Sequence, residues 1–141
     1  MLKLDHIGYV VDDIEKYCED FVSPLLAPRS ISEIVEDPVQ KVRIAFVTLE
    51  GGGCIELIQP MGGDSPVSRH LKDGRGGLYH VCYSCDDLDL EITRFKARKC
   101  WLISRPVTAA AFDGRRVAFL CTKSHDIVEL VENKTGTGDQ R

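Results

Sequence analysis

The chain has 141 residues, within the usual size range of one compact domain. Its composition is 43% hydrophobic and 28% charged with a formal net charge of −4, which disfavours nucleic acid and anionic membrane surfaces as partners. No apolar run reaches the roughly eighteen residues that span a bilayer, and no export signal is evident. We therefore expect a cytoplasmic protein, or a processed organelle form, whose six cysteines are mostly buried free thiols.

The first half of the chain predicts the order β-α-β-β-β. A helix is predicted from about Asp13, with Asp12 or Asp13 as its cap, until Pro24 ends the run. The triplet Gly51-Gly52-Gly53 is predicted to turn the last hairpin. The four predicted strands cover residues 3–11, 30–36, 42–48 and 54–59.

A connector follows, and then the second half repeats the same order. Ser65 followed by Pro66 predicts a helix start in the connector, and Gly74, Gly76 and Gly77 end that helix. In the second half we predict strands at 78–85, 101–104, 116–121 and 126–131 and a helix at 88–99. The predicted organisation is one domain over 1–141, with module one at 1–60, a connector at 61–77, module two at 78–132 and a frayed tail at 133–141.

A histidine and a glutamate recur at the same place in both modules. His6 and His80 lie in the first predicted strand of each, and Glu56 and Glu129 lie in the last. A single histidine in an apolar strand is usually a hydrogen-bonded core residue, but carboxylates are rarely buried without a partner. The same costly residue in both halves therefore indicates a shared cation.

Two imidazoles and two carboxylates suit one divalent ion, which can be Co, Ni, Zn, Mn or Fe. Four protein ligands on an ion that accepts six leave two positions for substrate oxygens. This arrangement favours proton abstraction beside a carbonyl, through a metal-chelated enolate.

These residues resemble the vicinal oxygen chelate superfamily, which includes glyoxalase I, methylmalonyl-CoA epimerases, extradiol dioxygenases and bleomycin-resistance proteins. The resemblance runs from Leu4 to Glu132. It implies an α+β fold in which two paired βαβββ modules form a half-open, eight-stranded barrel-like sheet around a metal site. It places the metal ligands at His6, Glu56, His80 and Glu129.

Within the superfamily the likeness is greatest to the methylmalonyl-CoA epimerases. That group's Glu-Leu-x-x-Pro, Asp-Ser-Pro-Ile and Gly-Leu-His-His-Ile are similar to the segments 56–60, 64–67 and 77–81 of this chain. Its Gly-Lys-x-Val-Ala-Phe-Leu-His-Pro-Lys-Ser is similar to 114–120 followed by Lys123-Ser124.

Three positions depart from the epimerase pattern. Ala111-Phe112-Asp113-Gly114 stands where the group usually has Gly-Ala-His-Gly, and His125-Asp126 stands in place of a Gly-Gly stretch. The group's second catalytic glutamate is expected around 43–45, where this chain has no carboxylate. Compared with that group, Glu129, a ligand that can detach and act as a base, is the one proton carrier that can be named.

Five residues are candidates for substrate binding. Arg115 and Arg116 can attract a substrate carboxylate or phosphate, although an ordinary solvated pair is an equal alternative. Lys123 and Ser124 are candidates through the resemblance. His125 can touch substrate, although a plain loop role is the stronger alternative.

The leading hypothesis is a metal-dependent epimerase or isomerase that acts on an α-substituted acyl-CoA or other thioester, similar to methylmalonyl-CoA epimerase. One alternative is a glyoxalase I-like lactoylglutathione lyase. Another is a non-catalytic small-molecule binder of the bleomycin-resistance type, although such proteins generally lack the four ligands. A ring-cleaving dioxygenase resembles this chain less, and a homodimer is implied by the likeness alone.

Overall fold

The structure is a computed structural model that describes residues 1–73 and 76–134. The chain divides into two compact units. The first unit is Asp5–His80, and the second unit combines Met1–Leu4 with the chain from Val81 onward. In the described part of the chain, every helix is too short or too polar to cross a membrane. The single-domain organisation stays a prediction.

The first unit is a sheet with the helical segment that follows its first strand packed on one face. Its strand order is β2-β4-β5-β1, with β3 also on β4, and β5 runs parallel to β1 while the other pairs are antiparallel. The elements are β1 (Lys3–Val10), α1 (Ile14–Tyr17), a π-helix (Cys18–Leu26), β2 (Ser30–Ile31), β3 (Val35–Asp37), β4 (Val42–Thr48), β5 (Cys54–Pro60), α2 (Pro66–Lys72) and the start of β6 (Gly77–Cys85).

The second unit repeats this arrangement. Its strand order is β6-β10-β9-β7, with β8 also on β9, and here β10 runs parallel to β6. The remaining elements are α3 (Leu88–Ala97), β7 (Trp101–Leu102), β8 (Val107–Ala109), a 3-10 turn (Ala110–Phe112), β9 (Arg115–Cys121) and β10 (Ile127–Glu132). The repeat seen in the sequence is therefore a repeat of structure, and the α+β class is confirmed.

The described residues form ten strands where eight were predicted. The predicted strand 30–36 is two strands, because the Phe46 N–H donates to the Ser32 side-chain oxygen at 2.8 Å between them. In the second unit β8 follows β7 after Pro106, and both pair with β9. Proline lacks the N–H of a ladder and commonly stands where a strand is interrupted.

The prediction that the first helix ends at Pro24 was wrong. The helix continues through Pro24 as a π-helix to Leu26, and Ala27 then ends it at a φ of 42° in the left-handed region. In an α-helix the proline ring clashes with the carbonyl four residues earlier. The wider π turn moves that carbonyl away, so the ring is accommodated.

The connector helix begins as predicted. The Ser65 side chain accepts a hydrogen bond from the Ser68 N–H at 3.1 Å, and the Ser68 side chain accepts one from the Ser65 N–H at 2.8 Å. Pro66 occupies the first turn, where its missing N–H has no helical partner to lose. Gly74 and the tail beyond residue 134 lie outside the described residues.

Alternation along the strands gives each sheet two different faces. In the first unit one face packs on the helices through the core residues Val11, Ile14, Val22, Ala45, Val47 and Leu57. The opposite face, called the ligand face below, carries His6, Gly8, Phe46 and Glu56. In the second unit the helix-side core is Cys85, Leu88, Ile92, Ala118, Leu120 and Leu130. There Phe119 and Glu129 alternate with those core positions.

Candidate metal centre

Three of the four predicted ligands come together within the first unit. Their ligand atoms all lie within 4.8 Å of one another. The Nε2 atom of His6 is 3.1 Å from Glu56 Oε2 and 3.1 Å from His80 Nε2, and His80 Nε2 is 4.0 Å from Glu56 Oε1. We call His6, Glu56 and His80 the ligand cluster.

Strand register explains how distant parts of the sequence reach this cluster. Because β1 and β5 are parallel neighbours, Gly8 lies beside Glu56, and His6 is two residues earlier on the same face. His6, Glu56 and His80 are only 1%, 3% and 2% exposed. A carboxylate buried this deeply is stable only when it is paired or coordinated.

Asp5 fixes the orientation of His6, and the sequence reasoning missed it. Asp5 Oδ1 lies 2.8 Å from His6 Nδ1, and the Asp5 side chain is only 7% exposed. A carboxylate on one ring nitrogen holds the proton there and leaves the other nitrogen as an acceptor. The signal was the Asp5-His6 dipeptide itself, since a carboxylate partner is usual for a metal-ligating histidine.

The donor set fits a divalent cation. With its Nδ1 proton held by Asp5, the Nε2 lone pair of His6 faces both the Glu56 carboxylate and the His80 ring. A single proton at this nitrogen can form a hydrogen bond in only one of the two contacts, either with Glu56 or with His80. Glu56 Oε2 is shielded from solvent and receives no hydrogen bond from any described group. A cation held by all three side chains would accept a lone pair from each of them at once.

Gly8 makes the room that His80 occupies. A Cβ atom at Gly8 would overlap the His80 imidazole ring, so any other residue here displaces the ring or the strand. The sequence reasoning also missed Gly8. The signal was a break in the repeat, because the corresponding position two residues after His80 is Cys82.

Glu129 occupies, within the second unit, the same setting that Glu56 occupies in the first. It is 2% exposed on β10, with Phe119 as its antiparallel partner and Cys82 level with it on β6. Glu56 likewise has Phe46 as its antiparallel partner and Gly8 level with it on β1. The assignment of Glu129 as fourth ligand and proton carrier stays a prediction that this equivalence supports.

The two predicted arginine contacts are engaged within the second unit. Arg116 binds both carboxylate oxygens of Asp89, at 3.0 and 3.1 Å, and lies 3.5 Å from Glu132 Oε2. The hydrogen bonds from Arg116 lower the pKa of Asp89. Arg115 stacks on the Phe112 ring and donates from Nε to the Phe112 carbonyl at 3.3 Å. Their roles toward substrate stay predictions.

Lys123, Ser124 and His125 form the exposed tip of the hairpin between β9 and β10. The Thr122 hydroxyl oxygen accepts hydrogen bonds from the Ser124 and Asp126 N–H groups, both at 3.2 Å, which fixes the turn. His125 has a φ of 66°, and its ring lies 6.1 Å from that of Trp101. Substrate binding by these three residues likewise stays a prediction.

Comparison with known proteins places these features in a family. A family model described as Glyoxalase/Bleomycin resistance protein/Dioxygenase superfamily matches residues 5–119. The chain is 34% identical over 122 residues to human mitochondrial methylmalonyl-CoA epimerase, covering 86% of this chain and 67% of that protein. It is 28% identical over 131 residues to the ethylmalonyl-CoA/methylmalonyl-CoA epimerase of Cereibacter sphaeroides, covering 91% and 96%.

A solved structure shows the same fold over almost the whole chain. It is a variant of Streptomyces coelicolor methylmalonyl-CoA epimerase in complex with 2-nitronate-propionyl-CoA. The TM-score is 0.83 with 22% identity, covering 97% of this chain and 98% of that one. The chain therefore belongs to the Glyoxalase/Bleomycin resistance protein/Dioxygenase superfamily, and within it to the epimerase-like enzymes.

Proposed function

We propose that the protein is a metal-dependent epimerase that removes and returns a proton at the carbon beside the carbonyl of an acyl-CoA thioester, with methylmalonyl-CoA as the first substrate to test. The observation that carries the proposal is the buried convergence of His6, Glu56 and His80, with Asp5 orienting His6. The similarity to named epimerases supports the substrate class.

His6, Glu56 and His80 are proposed to hold the metal, with Glu129 as the fourth ligand. The ion, which can be Co, Ni, Zn, Mn or Fe, would supply positive charge that stabilises the negative charge developing on the carbonyl oxygen. Asp5 holds the His6 ring in place. Burial of the ligand cluster excludes water, which strengthens every charge interaction within it.

Glu129 is proposed to be the group that accepts and returns the proton. A carboxylate can serve as base and then as acid when its pKa suits the working pH. Its buried setting on β10 matches that of Glu56 on β5. The two settings differ in the neighbouring strand, where Cys82 lies level with Glu129 and Gly8 lies level with Glu56. Arg115, Arg116, Lys123, Ser124 and His125 are proposed as substrate contacts.

A second candidate, a glyoxalase I-like lyase, is favoured by one observation. Epimerisation needs proton carriers on both faces of the reacting carbon, and around residues 43–45 the ligand face carries the apolar Ile44. Arg43 lies on the helix side, where it pairs with Glu15. Asp37, the acid on β3 that lies level with Val42, accepts hydrogen bonds from the Val39 and Gln40 N–H groups. A single proton carrier suits a lyase-like reaction, in which the proton is removed and returned on the same face of the substrate.

The decisive experiment measures exchange and metal content together. Purified metal-loaded protein in deuterium oxide is expected to introduce deuterium at the α-carbon of methylmalonyl-CoA, followed by NMR. Glu129→Gln should abolish the exchange. Elemental analysis should find the metal lost in Glu56→Ala but retained in Glu91→Ala, a matched control since Glu91 is an equally buried glutamate that pairs with Arg94.

Two further results bear on the two candidate activities. Conversion of methylglyoxal with glutathione, without exchange into any acyl-CoA, would favour the lyase. Inactivity toward both substrates by metal-loaded protein would contradict both candidates.

The proposal also includes a cytoplasmic homodimer, which rests on composition and family resemblance. Light scattering on the purified protein tests the dimer.

A further inference from the structure

Phe46 lies directly against the ligand cluster. It is the antiparallel partner of Glu56, and its ring meets the His6 imidazole edge-on, with the ring centroids 5.7 Å apart and the planes at 77°. Its neighbours on the ligand face, Ile44 and Ile58, are buried, whereas Phe46 is only half-buried. Phe46 therefore contacts His6 and also has aromatic surface that remains accessible.

The second unit has an aromatic residue at the equivalent position. Phe119 is the antiparallel partner of Glu129 and is also half-buried. Neither phenylalanine belongs to the hydrophobic cores that join sheet and helices in the described residues. An aromatic ring thus lies beside the acidic side chain in both halves, outside the two helix-side cores.

We infer that Phe46 is a specificity-determining residue that contacts the α-substituent of the acyl group and limits its size. This inference rests on the proposed function. A carbonyl seated at the ligand cluster brings its α-carbon within reach of the ring that packs against His6. The α-substituent needs an apolar surface, and an aromatic ring offers a rigid one at low entropic cost.

The test compares methylmalonyl-CoA with ethylmalonyl-CoA, which differ by one methylene. Metal-loaded wild type, Phe46→Leu and Phe46→Ala are titrated calorimetrically with both thioesters, and deuterium exchange gives kcat/KM for each. Phe46→Ala is expected to shift the ratio of the two dissociation constants, and of the two kcat/KM values, about tenfold toward the ethyl compound. Phe46→Leu should shift both ratios less, in the same direction.

Phe21→Ala is the matched control, since Phe21 lies in the π-helix of the same unit and packs on Tyr17. Its ratios should equal those of the wild type. If Phe46→Ala does not fold or loses its metal, Phe46→Leu decides. Unchanged ratios in a folded, metal-loaded Phe46→Leu would overturn this inference alone, while the proposed function stands. A metal-loaded wild type that binds neither thioester would overturn both.

Discussion

The most exacting position in the candidate centre is a residue without a side chain. Gly8 lies level with Glu56 on the neighbouring strand, and the His80 ring fills the space where a Cβ would stand. Histidine ligands are matched to a metal by ring position, so a displacement of the imidazole weakens binding even when every ligand remains. The glycine therefore belongs to the centre as much as the ligands do.

Gly8→Ala is accordingly expected to lower metal affinity by about tenfold or more and to cost about 1–3 kcal/mol of stability through overpacking. Metal titration and urea unfolding measure the two effects. Gly51→Ala is the control, because a Cβ there meets nothing within 4 Å. Equal metal affinities in the two variants would show that the His80 ring moves aside freely.

Cys85 gives the protein a pH dependence on the alkaline side. Burial, followed by the nearby charges of Glu91 and Glu132, raises the pKa of this thiol to about 11. In the unfolded chain the pKa of a cysteine thiol is about 8.5. A group whose folded pKa is raised contributes its full stability below the unfolded pKa, and that stability is lost as the pH rises from about 8.5 to 11.

The free energy of unfolding should therefore fall across this window by an amount on the order of 2 kcal/mol that Cys85→Ala does not show. Urea midpoints at pH 8 and pH 10.5, compared between wild type and variant, measure the difference. Because Cys18 and Cys121 also have raised pKa values, only the difference between the two proteins is assigned to Cys85. An equal fall in urea midpoint from pH 8 to pH 10.5 in wild type and Cys85→Ala would contradict the assignment.

At the scale of elements, the first helix and the last strand of each half are joined by a polar clamp. In the first unit Gln59 accepts a hydrogen bond from the Ile14 N–H at 2.9 Å, and Arg43 bridges Gln59 and Glu15. Each clamp satisfies an N–H at the start of a helix, which otherwise has no partner within the helix.

The second clamp repeats the first with one change. Glu132 accepts from the Leu88 N–H at 3.0 Å, and Arg116 bridges Glu132 and Asp89. The amide of Gln59 is thus replaced by a carboxylate at the corresponding place. An arginine therefore holds helix to strand in both halves. For Arg116 the sequence had left open a substrate contact or an ordinary solvated pair.

Gln59 already accepts the corresponding hydrogen bond from a helix N–H in the first unit. We therefore expect Glu132→Gln to change the free energy of unfolding by no more than about 0.5 kcal/mol. Glu132→Leu removes the acceptor for the Leu88 N–H and should destabilise by about 1–2 kcal/mol. Urea unfolding of both variants, which alter the same site, measures the difference. A glutamine variant as unstable as the leucine variant would show that charge, rather than the acceptor, stabilises this clamp.

Element order was largely predictable, because alternating and helical apolar patterns report directly on which side of a sheet or helix is buried. The errors fell where side-chain hydrogen bonds or proline override that pattern. Ser32 divides a strand that its composition predicts as continuous, and Pro24 remains inside a helix that it was expected to end. Neither effect leaves a periodic signal in the sequence.

For the molecule as a whole, the internal repeat was the strongest signal, because it made two histidines and two glutamates a set rather than four unrelated residues. The strand order of the two units confirms the repeat. What the repeat could not supply is where the halves differ. Gly8 corresponds to Cys82, and Gln59 corresponds to Glu132. The roles of these positions could be interpreted only from the side-chain contacts in the structure.

Metal removal should lower the stability of the protein. An ion that binds the folded but not the unfolded chain stabilises it by about 2.7 kcal/mol at one hundred times its Kd. Thermal unfolding with and without chelator should therefore show a Tm lower by several degrees in the chelated protein. His6→Ala should lack this difference, and a chelator effect of the same size in that variant would place the ion elsewhere.

Gly8 also bears on how interchangeable the two halves are. A chain assembled from two copies of the second half would carry a cysteine at position 8, with its Cβ where the imidazole ring has to stand. A chain in which the first half provides that strand meets no such obstacle. The halves have thus diverged into distinct parts, and one of them can no longer replace the other, although their strands still follow the same order.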